Sequence, residues 1–231
     1  MKKCYIVGAG EFFGSIHPCE EDLVIAADGG LVYLEKMGIV PDVVVGDFDS
    51  LEERQDFDTE RVCCAENNFC SNESRFFITK KEKNIEVVKH PIMKDETDMY
   101  LAYEIGSSRG YKEFELYGGV GGREDHTFAN YCLLLRAKND RNDIALIGNG
   151  VRFFVIKNEK KRVFGNPEAT VSAFAFGGIA EGVDIRGLKY EAKNVTLYPD
   201  RPLGVSNSFL SSGEGEISVE RGALLVCVFE K

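Results

Sequence analysis

The sequence has no apolar run long enough to span a bilayer, so no membrane-crossing helix and no membrane partner are expected. No secretory leader is expected either. After Met1-Lys2-Lys3 the apolar stretch ends at Gly10-Glu11, too short and too glycine-rich for one, and the expected location is the cytoplasm. Paired CxxC knuckles are missing. The seven cysteines are an odd number, and the tightest group, Cys63, Cys64 and Cys70, has neither zinc spacing nor a nearby histidine. Free thiols in a reducing compartment are the expectation. Positive charge is scarce: 28 Lys and Arg against 38 Asp and Glu give a net charge of −10. That balance argues against nucleic acid as the main partner and is compatible with a small cationic substrate, or with phosphates carried by a metal. Internal repeats and low-complexity tracts are absent. What the 231 residues do offer is room for one large or two ordinary domains with ample core.

The first 150 residues read as an α/β domain with a mainly parallel sheet. Cys4–Val7, Leu23–Ala27, Val43–Val45, Ile85–Val88, Phe114–Tyr117 and Ile144–Ile147 are short apolar or β-branched runs, the pattern of strands buried on both faces. Helices are expected over Leu31–Met37, over a segment carrying Met99, Ala102, Tyr103 and Gly106 on one face, and from Asp125 to Ala137. From Leu51 to Asn84 the rhythm is lost, with one short amphipathic piece around Phe76-Phe77-Ile78, and a surface excursion is expected. After Gly150 the period changes. Val151–Ile156, Val171–Phe176, Ile179–Ile185, Val195–Tyr198, Glu216–Val219 and Leu224–Phe229 read as strands separated by Gly- and Asn-rich turns. The expected organisation is therefore an α/β domain over 1–150 and an all-β sandwich over 151–231.

Chemistry gathers where the parallel strands end, the place where ligands sit in open α/β sheets. Val43–Val45 runs into Gly46-Asp47-Phe48-Asp49-Ser50, and aspartates two apart on an extended chain point the same way. Two such carboxylates repel unless they share a proton or a cation, and hard oxygen ligands beside glycine turns suit Mg²⁺. Asp95-Glu96-Thr97-Asp98 adds two more carboxylates, although Asp95 as helix cap and Asp98 as its third residue would explain them structurally. Leu23–Ala27 ends in Asp28-Gly29-Gly30, where Asp28 either grips a polar ligand or caps the helix after it. Phe114–Tyr117 opens into Gly118-Gly119-Val120-Gly121-Gly122-Arg123-Glu124-Asp125-His126. Backbone N–H groups without side-chain bulk, followed by a guanidinium fork and a helix start, make a phosphate cradle. Gly8-Ala9-Gly10 invites a dinucleotide-binding reading. The third glycine of that fingerprint should fall at Phe13, however, and Gly14 comes one residue late, so that reading is set aside.

These motifs, in this order, resemble the thiamine pyrophosphokinase family. The resemblance rests on Ala27-Asp28-Gly29-Gly30, Gly46–Ser50, Asp95–Asp98 and Gly118–His126, joined to a β-rich half with Gly187-Leu188-Lys189-Tyr190 and Gly204-Val205-Ser206-Asn207. It covers nearly the whole chain, though the Leu51–Asn84 connection is longer than the family pattern. It implies an ATP-binding N-terminal domain and a thiamine-binding β-sandwich. It also implies a homodimer whose active sites lie between the N-terminal domain of one subunit and the C-terminal domain of the other. The implied reaction moves the β,γ-diphosphate of ATP to the thiamine hydroxyl, giving thiamine diphosphate and AMP. Carried over by position, Asp47, Asp49, Asp95 and Asp98 would hold Mg²⁺. Asp49, Asp98, Arg123 and Asp125 would serve catalysis. Asp28, Gly29, Ser50, Thr97, Gly119, Gly121 and Gly122 would contact nucleotide or substrate, together with Asp47 and Arg123, and Ser206 and Asn207 would stand at the thiamine end. Two other readings stay open: pyrophosphate transfer to another hydroxymethyl compound such as a pterin alcohol, and a non-catalytic thiamine or nucleotide sensor.

Overall fold

The computed structural model describes residues 2–46, 74–80, 83–89 and 96–230. By internal contacts the chain divides into two compact units, Met1–Glu124 and Asp125–Lys231.

In the first unit the strands are β1 (Lys3–Val7), β2 (Leu23–Ala27), β3 (Val43–Gly46), β4 (Ser74–Lys80), β5 (Lys83–Lys89) and β6 (Glu113–Tyr117). They lie in the order β6-β1-β2-β3-β5-β4. All neighbours pair in parallel except β4, which runs antiparallel to β5 at the edge. β2 and β3 are buried along their whole length, as the unbroken Leu-Val-Ile-Ala-Ala and Val-Val-Val runs require of strands covered on both faces. Helix α1 (Gly30–Lys36) follows β2 and α2 (Asp98–Ser108) follows β5 in the chain. α2 turns Met99, Ala102, Tyr103, Ile105 and Gly106 inward. A methyl group on Gly106 would lie 2.7 Å from the Phe114 ring and 2.9 Å from the Cys4 sulfur, so only glycine lets α2 lie this close to the sheet. Because β6, β1, β2, β3 and β5 are parallel, their carboxyl ends share one rim.

The strand β4 corrects part of the expected surface excursion. Residues 74–80 form a hairpin with β5, registered Phe76↔Val87 and Ile78↔Ile85, with Ile78 buried and its neighbours only partly covered. The sequence pattern there is blurred because the edge strand carries a charge on each face, Arg75 exposed on one and Lys80, paired with Glu35 of α1 at 2.7 Å, on the face of Ile78, which masks the alternation. Residues 51–73, with Cys63, Cys64 and Cys70, lie outside the described residues.

The second unit takes in helix α3 (Glu124–Asn139) from its second residue onward, then β7 (Asp143–Gly148), β8 (Val151–Lys157), β9 (Lys160–Phe164), β10 (Thr170–Ala175) and β11 (Ala180–Arg186). It continues with β12 (Ala192–Leu197), β13 (Asn207–Ser208), β14 (Glu214–Ser218) and β15 (Ala223–Phe229). Two antiparallel sheets result, β7-β8-β15-β10-β13 and β12-β11-β14-β9. They face each other across one apolar core, with Ile156, Val171, Leu224 and Val226 from the first meeting Val163, Val183, Ile185 and Ile217 from the second. β9 is absent from the strands expected by sequence. Its Lys160-Lys161-Arg162-Val163-Phe164 run buries only Val163, since β9 is an edge strand with basic side chains outward.

Candidate functional site

At the rim of the first unit, β1 and β6 stay in register beyond their last strand residues. The Gly8 N–H donates to the Tyr117 carbonyl at 2.8 Å, and the Gly10 N–H donates to the Gly118 carbonyl at 2.9 Å. The backbones here nearly touch: a methyl on Gly118 would lie 2.4 Å from the Gly8 carbonyl oxygen, and one on Gly10 would lie 2.6 Å from that of Gly118. From this crossing the chain leaves through Gly118 (φ 64°), Gly121 (φ 80°) and Gly122 (φ 75°), three left-handed residues in one short loop. Gly118, Gly119 and Val120 are buried, whereas Gly121, Gly122 and Arg123 are exposed. A short exposed glycine loop that leads into an arginine can receive an anion.

Asp28 closes β2 in the left-handed region (φ 52°), its N–H donating to the Val45 carbonyl at 2.7 Å. The cap position of α1 is Gly29, so Asp28 stands one residue before the cap. A methyl on Gly29 would meet the Ala9 side chain at 3.1 Å, which brings the Asp28 turn against the 8–10 segment. The start of α2 comes to the same place, because the Met99 sulfur stands 2.8 Å from where a Gly8 methyl would be. Its cap is Thr97, in extended conformation, whose hydroxyl accepts from the Tyr100 N–H at 3.2 Å. Asp98 is thus the first helical residue and not the third. The hydroxyl of Thr97 does what the Asp95-to-Asp98 spacing had suggested a carboxylate would do.

The structure therefore brings Asp28, Gly29, Thr97, Asp98, Gly119, Gly121, Gly122 and Arg123 to one rim of the first unit. Asp47, Asp49, Ser50 and Asp95 lie outside the described residues. Among the described residues no group of three or more His, Cys, Asp or Glu stands together. Of the four aspartates singled out as metal ligands, only Asp98 is described, half-exposed at the head of α2. Its hard carboxylate oxygens are the donor chemistry that Mg²⁺ takes. Asp125 lies inside the first turn of α3, exposed, its carboxylate accepting from the His126 N–H at 3.0 Å.

Ser206 and Asn207 belong to the second unit. Ser206 is exposed in the left-handed region (φ 60°), its N–H donating to the Ser172 hydroxyl at 3.0 Å. Asn207 is 8% exposed. Its Oδ1 accepts from the N–H groups of Tyr190 and Ser208, each at 2.9 Å, and its Nδ2 donates to the Tyr190 carbonyl at 2.7 Å. The amide thus pins the Gly187–Tyr190 turn to the Gly204–Asn207 turn. Between these turns opens a cavity of about 290 Å³, walled by Val171, Ile185, Leu188, Val195 and Leu197, with Tyr190, Leu203 and Asn207 also on its lining. Its walls are apolar and its polar groups few, the make-up of a small-molecule pocket. Sequence reasoning singled out the two turns but not the cavity, whose walls come from strands far apart in the chain. It weighed Gly8-Ala9-Gly10 only as a dinucleotide fingerprint and did not connect it, or Glu11 and Phe12, with the rim.

Comparison with known proteins supplies the family. Residues 19–146 match the model for "Thiamin pyrophosphokinase, catalytic domain", and residues 155–224 match that for "Thiamin pyrophosphokinase, vitamin B1 binding domain". Thiamine pyrophosphokinase of Bacillus subtilis (strain 168) is 26% identical over 215 residues, 90% of this chain and 87% of that protein. The crystal structure of the Bacillus subtilis protein aligns over 100% of both chains with a TM-score of 0.78 at 22% identity. Thiamin pyrophosphokinase from Candida albicans aligns over 99% of this chain and 88% of that one, with a TM-score of 0.67 at 13% identity. These two structures speak for the fold, and the two family models, which between them take up most of the sequence, identify the chain as a member of the thiamin pyrophosphokinase family of enzymes.

Proposed function

We propose that this enzyme transfers the β,γ-diphosphate of ATP to the hydroxyl of thiamine, giving thiamine diphosphate and AMP. The observation that carries the reading is the Gly118–Arg123 loop: three left-handed glycines and an exposed arginine at the carboxyl end of a parallel strand. Such a loop receives a polyphosphate through main-chain N–H groups. The thiamine oxygen attacks the β-phosphorus in line. The new O–P bond forms as the bond from the β-phosphorus to the oxygen bridging it to the α-phosphate breaks, and AMP leaves with that oxygen. Transfer of this kind depends on positioning and on charge neutralisation, not on a covalent enzyme intermediate.

In this reading Arg123 and the N–H groups of Gly119, Gly121 and Gly122 share the charge developing on the phosphoryl oxygens. Asp28 and Gly29, Ser50 and Thr97 line the nucleotide. Asp98 or Asp125 takes the proton of the attacking hydroxyl. Asp47, Asp49, Asp95 and Asp98 would hold Mg²⁺, which supplies charge neutralisation on the phosphates when bound. The second unit serves the vitamin: the cavity beside Ser206 and Asn207 offers apolar walls to a heteroaromatic ring. Functionally, residues 1–150 then form the ATP-binding part and 151–231 the thiamine-binding part, and the working form is a homodimer.

The test is AMP release from ATP and Mg²⁺ with thiamine or with a hydroxymethyl pterin as acceptor. Thiamine alone should support it, and Asp98→Asn should lower turnover by about two orders of magnitude or more while the thermal transition stays put. Release with the pterin and not with thiamine would shift the acceptor. Tight thiamine binding without turnover would make the chain a sensor. A fully active Asp98→Asn would remove that aspartate from the metal and base roles.

A further inference from the structure

The segment Gly8–Phe12 touches each part of the rim. Its N–H groups hold Tyr117 and Gly118, Ala9 meets Gly29 beside Asp28, and Gly8 faces Met99 next to Asp98. At its end the Phe12 ring stacks with two others, Tyr33 of α1 at 5.5 Å and 27° and Tyr117 of β6 at 5.3 Å and 21°. The ammonium of Lys36 stands over the Tyr33 ring at 5.7 Å, which makes a cluster of three rings and a cation. Just before it, the Glu11 side chain reaches under Gly121, its carboxyl carbon 3.1 Å from where a Gly121 methyl would be. One short segment thus fixes α1 with its Asp28 turn on one side and the glycine loop on the other.

We propose that Phe12 is a positioning residue for nucleotide binding: stacked with Tyr33 and with Tyr117, it sets where the Gly118–Gly122 loop stands relative to Asp28. The inference rests on the reading of that loop as the phosphate cradle. A phosphate chain bound by several main-chain N–H groups tolerates little misplacement of any of them. The three rings belong to the first unit, whereas the residues lining the cavity beside Ser206 and Asn207 belong to the second.

The experiment compares Phe12→Ala, Phe12→Leu and Phe12→Tyr with the parent protein in KM for ATP, KM for thiamine, kcat and Tm. Leucine fills the space without stacking, and tyrosine restores the ring. Phe12→Ala and Phe12→Leu should raise KM for ATP about tenfold, with KM for thiamine unchanged within about twofold and Phe12→Tyr close to the parent. If Phe12→Ala does not fold, the Leu and Tyr pair decides. A lowered Tm with KM for ATP unmoved, or both KM values rising together, would reduce Phe12 to a packing residue and overturn the proposal. A parent protein that turns over no thiamine yet binds ATP calorimetrically, with the same loss in Phe12→Leu, would uphold the positioning role and reject the acceptor. A parent that binds no ATP would overturn both.

Discussion

Gly118 stands where the peptide chains of β1 and β6 cross, in the left-handed region and with the Gly8 carbonyl 2.4 Å from any added methyl group. Gly118→Ala therefore has to pay for a strained backbone and also push two main chains apart. A loss of about 1–3 kcal/mol in unfolding free energy is expected, read by denaturant melts, together with weakened ATP binding. Unchanged stability would mean that the crossing is loose. Gly122, exposed and with nothing within 4 Å of its added methyl, shares the left-handed φ but not the crowding, and is the natural control. The single residues of the rim were legible in the sequence because glycine and aspartate carry their meaning in backbone freedom and charge. Their exact offices were less so. Asp28 and Asp95 looked like caps, because a cap is recognised by residue type and offset; the structure gives capping to Gly29 and Thr97, which the local φ and ψ decide.

Among the elements, the long β-branched runs of β2 and β3 and the inward face of α2 were legible because each is buried on a regular period. The edge strands β4 and β9 were not, since the Arg and Lys they carry interrupt the pattern. Charge has a second use where α3, β7 and β9 meet. Lys138 of α3 pairs with Asp143 at the start of β7 and with Glu159, 2.7 Å away just before β9, while Lys161 approaches Asp143 at 3.6 Å. Burial alone would raise the pKa of Asp143, but its bond to Lys138 and the nearby Lys161 outweigh it and hold the carboxyl below its ordinary range. Burial would lower the pKa of Lys138, but its bonds to Asp143 and Glu159 hold it above its ordinary range. A depressed acid stabilises the fold above its unfolded pKa and loses that contribution as pH falls through its folded one; a raised base loses its contribution as pH rises through its folded one. Lys138→Met should therefore lower Tm most between these limits and flatten both the acid and the alkaline flank of the Tm–pH curve. A profile parallel to the parent's would show that the cluster is merely solvated surface.

For the whole molecule, the two units carry separate halves of the proposed chemistry: an anion-binding rim on a parallel sheet, and an apolar cavity between two antiparallel sheets. The change of period near Gly150 suggests a two-part organisation in the sequence, because parallel buried strands and alternating antiparallel ones differ in pattern, whereas the compact units divide between Glu124 and Asp125. The cavity was not visible, being assembled from strands remote in sequence. No helix among the described residues is long and apolar enough to cross a membrane. A net charge of −10 suits a cationic acceptor such as a thiazolium, while phosphates must then arrive with their charge partly neutralised. The central claim is diphosphate transfer, and the most direct measurement is the mass of both products after incubation of the purified protein with ATP, Mg²⁺ and thiamine. AMP together with thiamine diphosphate, formed only with Mg²⁺ present, is the expected pair; ADP together with thiamine monophosphate would contradict it.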